Sequence, residues 1–244
     1  MKVYASTLTG NIRTHNEDCV YVHMDKKPFY VLVADGMGGA AAGEVASMMT
    51  AYCVKQFIED LKKEELSGQD LAQAVTYAND ALLAEIRVND KLTGMGSTVT
   101  LAGITQSTVT LAHVGDSSAY LFSDNTLTKL TKDHTYVQRL LDAGKLNEET
   151  AKTYPLKNVI TRAVGMTELC ADVSSVQWKP EDVLLLCSDG LTCYADASKL
   201  QELLREPKTP EEIAEKLIDF ALQAGGKDNI SVAVIQNTQT EGEA

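Results

Sequence analysis

Four apolar runs in this 244-residue chain meet an aspartate at one end. Phe29-Tyr30-Val31-Leu32-Val33-Ala34 stops at Asp35-Gly36, and Val183-Leu184-Leu185-Leu186-Cys187-Ser188 stops at Asp189-Gly190. Val109 to Val114 stops at Gly115-Asp116, and Asp228 stands just before Ile230-Ser231-Val232-Ala233-Val234-Ile235. Runs of this length and composition read as buried strands. A charged carboxylate at the end of a buried strand is costly without a compensating cation. The pattern is that of a carboxylate metal centre.

Composition narrows the setting. An apolar fraction of 44% with only five Pro describes a globular chain, and its length suits one domain. We expect that domain over 1–236, an insertion over 133–165 and a polar tail over 237–244. The net charge of -12 disfavours nucleic acid and anionic membrane as partners, both being polyanions. Cys19, Cys53, Cys170, Cys187 and Cys193 are odd in number and form no C-x-x-C pair. They read as reduced core thiols, not as a disulfide frame or a zinc site. The N-terminus lacks a signal-peptide apolar stretch, and no run reaches the roughly 20 apolar residues of a membrane span. The expectation is a soluble, cytoplasmic monomer.

Strands are expected at Val3–Leu8, Asp18–His23 and Phe29–Ala34. Val45, Met48, Met49, Tyr52, Cys53, Phe57 and Leu61 then recur at three and four, predicting a helix with that stripe inward. Leu71, Val75, Ala78, Leu82 and Ile86 predict a second helix. After Gly94-Met95-Gly96 the period becomes two, and Ser97–Ile104, Ser107–Val114, Ser118–Phe122 and Thr126–Leu130 read as an antiparallel meander. His134–Ala143 reads as helical, inside an insertion. Strands at Ala171–Val176 and Val183–Cys187 precede two helices, the second opening at Thr209-Pro210-Glu211-Glu212, and Ile230–Ile235 is the last strand. Strands interrupted by two helix pairs imply an α+β chain with helices on the outer faces of antiparallel sheets.

Five segments carry the candidate chemistry. Arg13-Thr14-His15-Asn16-Glu17-Asp18 sets a cation four residues before paired acids, an arrangement able to hold an anion beside a metal. Hard ions such as Mg²⁺ and Mn²⁺ take such oxygen ligands. Gly36, Gly38 and Ala41 also fit the dinucleotide fingerprint G-x-G-x-x-A. Asp35 would repel a pyrophosphate there, and no second strand ending in an acid follows at the required distance. The glycines instead allow a sharp turn at a metal, with the Gly36 carbonyl as a further ligand. Gly115-Asp116-Ser117, Ser188-Asp189-Gly190 and Gly225-Gly226-Lys227-Asp228-Asn229 complete the set, Asn229 being placed to orient a carboxylate. Antiparallel pairing would bring Asp35, Asp189 and Asp228 to one edge, where bridging cations would stabilise them.

Glu17-Asp18, Asp35-Gly36-Met37-Gly38-Gly39, Gly115-Asp116-Ser117, Asn158-Val159-Ile160-Thr161-Arg162-Ala163-Val164-Gly165, Cys187-Ser188-Asp189-Gly190-Leu191-Thr192 and Gly226-Lys227-Asp228-Asn229-Ile230-Ser231 stand in one order. In that order the chain closely resembles the PP2C-type (PPM) metal-dependent Ser/Thr phosphatases, in their compact bacterial branch, from about Val3 to Ile235. The resemblance implies an α-β-β-α sandwich with two Mn²⁺ or Mg²⁺ ions at one end of the sheets, and hydrolysis of phosphoserine and phosphothreonine in proteins. It implies that Asp35 bridges both metals, that Asp189 and Asp228 complete the first, and that Glu17 and the Gly36 carbonyl serve the second, with Asp18 acting through water. Arg13 would grip the phosphate. Asp116 with Asp189 resembles the pair that holds a third, weaker metal, and 133–165 resembles a mobile flap that selects substrates. The implied partners are phosphorylated proteins, including a cognate Ser/Thr kinase and its substrates. A water bridging two such ions is acidified toward neutrality for in-line attack on phosphorus, so no phospho-enzyme is expected.

The chain departs from the family at several places. Ala40 stands where bacterial members commonly have His, Met37 where animal members have one, Ser118 where Arg is usual and Ser97 where Thr is usual. The general acid is thereby unassigned, with His15 the nearest donor in sequence, while His113 and His134 read as structural. The competing reading is a catalytically silent domain that binds phosphoproteins or senses a ligand.

Overall fold

In the computed structural model, which describes residues 1–38, 42–206 and 209–238, the apolar runs are strands of two antiparallel sheets. In chain order the elements are β1 (Lys2–Leu8), β2 (Asp18–His23), β3 (Phe29–Met37), α1 (Ala42–Leu61), α2 (Gly68–Val88), β4 (Gly96–Ser97), β5 (Val99–Ile104), β6 (Thr108–Val114), β7 (Ser118–Ser123) and β8 (Thr126–Lys129). There follow α3 (Tyr136–Asp142), α4 (Glu148–Lys152), β9 (Asp172–Gln177), β10 (Val183–Cys187), α5 (Asp189–Thr192), α6 (Ala197–Leu204), α7 (Pro210–Gln223) and β11 (Ile230–Gln236). One sheet runs β1-β11-β10-β7-β8, and the other β2-β3-β5-β6-β9 with β4 against β3.

Alternation along each strand decides the layers. Val31 and Val33 of β3 pack between the sheets with Leu184, Leu186, Ala233 and Ile235. The intervening Tyr30, Leu32 and Ala34 face Val54 and Ile58 of α1 and Leu71 and Val75 of α2. Leu185, Cys187, Val232 and Val234 turn to the opposite outer face, against Leu200 of α6 and Ile213 and Leu217 of α7. Both faces of the central strands are thus covered, which is why they read as unbroken apolar runs. The result is the α-β-β-α sandwich that the sequence implies.

Local chemistry ends these elements where expected. Ser67 and Asp70 form a reciprocal capping box at the start of α2, as do Thr209 and Glu212 at α7 with Pro210 in its first turn. Asp124 and Asn125 both adopt left-handed φ, +48° and +61°, in the two-residue turn between β7 and β8. Among the described residues, no helix is long and apolar enough to cross a membrane.

The inward face of α1 keeps part of the expected stripe, with Cys53 buried and Met49, Phe57 and Leu61 packed against the core. Its buried residues include Gly43, Ala46, Ser47, Thr50, Ala51, Val54 and Ile58, whereas Val45, Met48 and Tyr52 are exposed. Small residues let the helix axis approach β3 and α2 closely, and the bulkier side chains flank that contact. Size at the contact, not hydrophobicity alone, sets the rotation of the helix.

Candidate metal centre

Strand parity positions the acids. Asp35 continues the Val31–Val33 face of β3, and Asp18 is its register partner on β2, so both stand at one end of the space between the sheets. Ser231 continues the Ala233–Ile235 face of β11 from the opposite sheet. The hydroxyls of Ser188 and Ser231 donate to Asp18 Oδ2 at 2.7 and 2.6 Å, tying the two sheets together. Ser188 Oγ also accepts from the Ser231 amide at 3.0 Å. That hydroxyl is therefore committed across the sandwich and makes no side-chain cap to α5, although Ser188 is its N-cap residue. Asp189 opens the first turn of that helix.

A second hydroxyl relay fixes Asp35 and Asp116. The Asp35 amide donates to Thr98 Oγ1 at 2.9 Å, and the Thr98 amide donates to the Asp35 carbonyl at 2.8 Å. Thr98 Oγ1 lies 2.7 Å from Ser117 Oγ, in the turn that presents Asp116. Gly115 enters that turn at φ +107°, where a Cβ would sit 2.5 Å from the Thr98 side chain, so only glycine fits.

Asn229 organises the other edge. Its Oδ1 accepts from the Glu17 amide at 2.8 Å, and its Nδ2 donates to the carbonyls of Thr9 and His15 at 3.0 and 2.9 Å. Its own amide donates to Asp228 Oδ1 at 2.9 Å, which anchors one oxygen of that carboxylate. Arg13 holds the other, Nη2 lying 3.0 Å from Asp228 Oδ2, and its Nη1 is 3.6 Å from Glu17 Oε2. Replacing Asn229 with Ala removes the partner of three partly buried backbone groups, so we expect a loss of about 1–3 kcal/mol in stability. Urea unfolding against the wild type measures it, and a loss under about 0.5 kcal/mol contradicts the assigned bonds.

The electrostatics are those of crowded acids. Burial, then the charges of Asp18, Asp189, Asp116 and Asp228, hold Asp35 well above the usual carboxylate range. Burial lifts Asp18 to about 6 against the pull of the Ser231 and Ser188 hydrogen bonds, with Asp189 and Asp228 adding to the rise. Burial and Asp189 raise Asp116 to about 7. Burial and Asp228 raise Asp189 to about 6, opposed by a hydrogen bond with Asp35 and by Arg13. The sequence-predicted acids Asp18, Asp35, Asp116, Asp189 and Asp228 are thus brought within mutual influence, while Glu17 joins through Arg13 and the backbone.

Hard cations fit this set. Every candidate donor is an oxygen, and Asp18 Oδ1 is buried without a hydrogen-bond partner. A Cβ on Gly43 would lie 2.6 Å from Glu17 Oε1 and 2.9 Å from the Gly36 carbonyl, so these two predicted ligands converge on one cradle kept open by a glycine. Among the described residues no three acidic, His or Cys side chains close round a common point as a finished cage. Arg13 holds an oxygen of Asp228, and Ser188 and Ser231 hold one of Asp18.

A groove of about 660 Å³ runs from Asp116 and Asp189 to the 133–165 segment, where Lys152, Lys157 and Asn158 line it. His113 and His134 are buried structural residues. Thr100 Oγ1 is 3.0 Å from His113 Nδ1, and His134 Nδ1 accepts from the Gly115 amide at 3.0 Å. His15 is exposed, and Met37 is half-buried at the end of β3. Ala40 lies outside the described residues. The sequence reading gave no role to the hydroxyls of Ser188, Ser231, Thr98 and Ser117. The available signal was parity, since Ser231 lies an even number of residues from Ala233 and Ile235.

Face-to-face antiparallel sheets with buried acids gathered at one shared end define a class of hydrolase centre built for hard cations. The protein phosphatase 2C profile matches residues 6–230. A serine/threonine phosphatase stp of Listeria monocytogenes is 37% identical over 239 residues, 95% of this chain and 94% of that protein. The serine/threonine protein phosphatase PstP of Mycobacterium tuberculosis is 37% identical over 92% of this chain, which spans 43% of that longer protein. A crystal structure of the PstP catalytic domain in complex with 2 manganese ions superposes with a TM-score of 0.86 at 35% identity, covering 98% of each chain. The chain belongs to the protein phosphatase 2C family, and it is a protein-serine/threonine phosphatase related to bacterial members of that family.

Proposed function

We propose that this protein removes phosphate from phosphoserine and phosphothreonine in proteins by direct hydrolysis, opposing a Ser/Thr kinase that acts on the same substrates. The observation that carries the reading is the gathering of Asp18, Asp35, Asp116, Asp189 and Asp228 at one end of the inter-sheet space, where burial and neighbouring charge raise the first four. Asp35, Asp189 and Asp228 would hold one Mn²⁺ or Mg²⁺, and Asp35, Glu17 and the Gly36 carbonyl a second, with Asp18 beside them. A weaker third ion would use Asp116 and Asp189. Bound there, the ions supply Lewis acidity and lower the pKa of water. Arg13, tethered to Asp228, orients the phosphate and offsets charge on its oxygens. Ser188 and Ser231 hold the Asp18 carboxylate and the Asn229 amide that of Asp228, while Thr98 fixes the backbone of Asp35. The groove beside Asp189 accepts the peptide. No side chain is assigned as nucleophile.

The test is hydrolysis of a phosphothreonine peptide in ¹⁸O-water. Activity should require Mn²⁺ or Mg²⁺, stop with chelator, place one ¹⁸O in each phosphate released, and leave no label on the protein when the peptide carries ³²P. A stable phospho-enzyme contradicts direct hydrolysis. Tight Mn²⁺ binding with no turnover across peptides favours the silent, phosphoprotein-binding reading.

A further inference from the structure

Asp116 sits in a turn whose Ser117 side is held by Thr98. The other side is held by one buried residue, His134, which grips Gly115 at two points. Its backbone amide donates to the Gly115 carbonyl at 2.7 Å, and its Nδ1 accepts from the Gly115 amide at 3.0 Å. The far side of the ring meets Asp172 at the start of β9, Nε2 lying 3.1 Å from Oδ2. Arg162 Nη1 donates to the other oxygen, Asp172 Oδ1, at 2.5 Å and to the Cys170 carbonyl at 3.0 Å.

These bonds leave the imidazole one proton arrangement. A backbone amide can only donate, so Nδ1 is unprotonated and the proton of the neutral ring is on Nε2. From there it is donated to Asp172. Arg162 Nη1 also lies 3.1 Å from Nε2, but both atoms are donors, so the guanidinium acts on Asp172 and not on the ring. Burial, opposed by the bond to Asp172 and aided by the Arg162 charge, holds His134 below the usual histidine range, in keeping with a neutral ring. Against burial, the bonds to His134 and Arg162 keep the Asp172 carboxyl below its usual range, and so ionised. Without a carboxylate at Nε2 the second neutral tautomer becomes accessible. Its proton on Nδ1 would set two donors against each other at Gly115.

We propose that Asp172 is a positioning residue of the phosphatase: it locks His134 in the tautomer that accepts from Gly115, and so holds the turn that presents Asp116. The inference rests on the reading of Asp116 as a ligand of the weaker third ion. Carboxylates that orient an imidazole from behind are familiar where the imidazole itself binds a metal, and there their loss costs about 10–100-fold in affinity. Here the imidazole holds a backbone amide instead. The effect passes through one more link, and the expected cost is smaller.

The first readout needs no metal. ¹⁵N NMR of the full chain in chelator should show His134 with its proton on Nε2 alone. Asp172→Ala should give a mixture of tautomers and move the Gly115 amide proton upfield. The second readout is Mn²⁺ binding by calorimetry, where Asp172→Ala should weaken the weakest step by about fivefold or more and leave the tighter steps unchanged. Hydrolysis of a phosphothreonine peptide should fall several-fold at limiting Mn²⁺ and recover at saturating Mn²⁺, which a merely misfolded variant would not do. His134→Asn supplies the control, because its Oδ1 takes the place of Nδ1 and accepts from Gly115 with no tautomer to lock. In that background Asp172→Ala should change the weakest step by less than about twofold. The proposal is overturned if Asp172→Ala keeps the single tautomer, if it leaves unchanged a Mn²⁺ step that Asp116→Asn removes, or if it weakens that step equally in the His134→Asn background. If Asp116→Asn itself leaves the weakest step unchanged, the third-ion reading fails, while the His134 and Gly115 signals still decide whether Asp172 sets the turn.

Discussion

Asp35→Asn is expected to lower turnover of a phosphothreonine peptide by about 10³-fold or more, and at the same time to raise the Tm of the metal-free protein. The two effects have one cause. Asp35 is the acid on which the other four act, and burial adds to their repulsion. A neutral amide of the same shape relieves that repulsion and keeps the backbone bonds to Thr98. The same change removes the ligand proposed to bridge two cations. Steady-state kinetics with Mn²⁺ and thermal melts with chelator decide the matter. A variant that stays active, or that is less stable than wild type in chelator, refutes the role assigned to Asp35.

Removing metal should reverse the direction in which pH affects stability. Asp18, Asp116 and Asp189 have folded pKa values of about 6, 7 and 6, against 3.8 for the free carboxyl. Stability from such groups is present below the unfolded pKa and is lost as pH rises through the folded one. His113, held near 3 by burial and then by His134, has the opposite sign and costs stability as pH falls below about 6.5. The acids outnumber it, so in chelator Tm should fall between about pH 4 and pH 7. With Mn²⁺ at about a hundredfold over its Kd, linkage adds about 2.7 kcal/mol, roughly 5–10 °C for a chain of this size, and the gain should grow with pH. A pH-independent Tm in chelator, or no response to Mn²⁺, would show that the acids are not coupled as described.

The layers and the positions of the acids were legible in the sequence because period and punctuation agree there. Continuous apolar runs end on Asp35 and Asp189, a β-branched strand of the meander ends at Gly115-Asp116, and a capped helix opens at Thr209. α1 is legible only in part: Cys53, Met49, Phe57 and Leu61 meet the core while Val45, Met48 and Tyr52 face outward, because rotation follows from how closely Gly43, Ala46 and Ala51 let the helix approach. The hydroxyl relays were hidden for another reason. Ser188 and Ser231 lie far apart in sequence, and only the closing of two sheets over one another brings both to Asp18.

That closure also makes activity a test of strand register. Asp18 and Asp35 face the inter-sheet space because each keeps step with the valines of its own strand. A one-residue slip of β3 would still bury a run of apolar side chains, since both faces of the strand are covered, yet it would turn Asp35 toward the helices and part Asp18 from its partner. Hydrophobicity by itself discriminates weakly between the two pairings. The carboxylates supply the discrimination, so a misaligned molecule would be compact but catalytically dead.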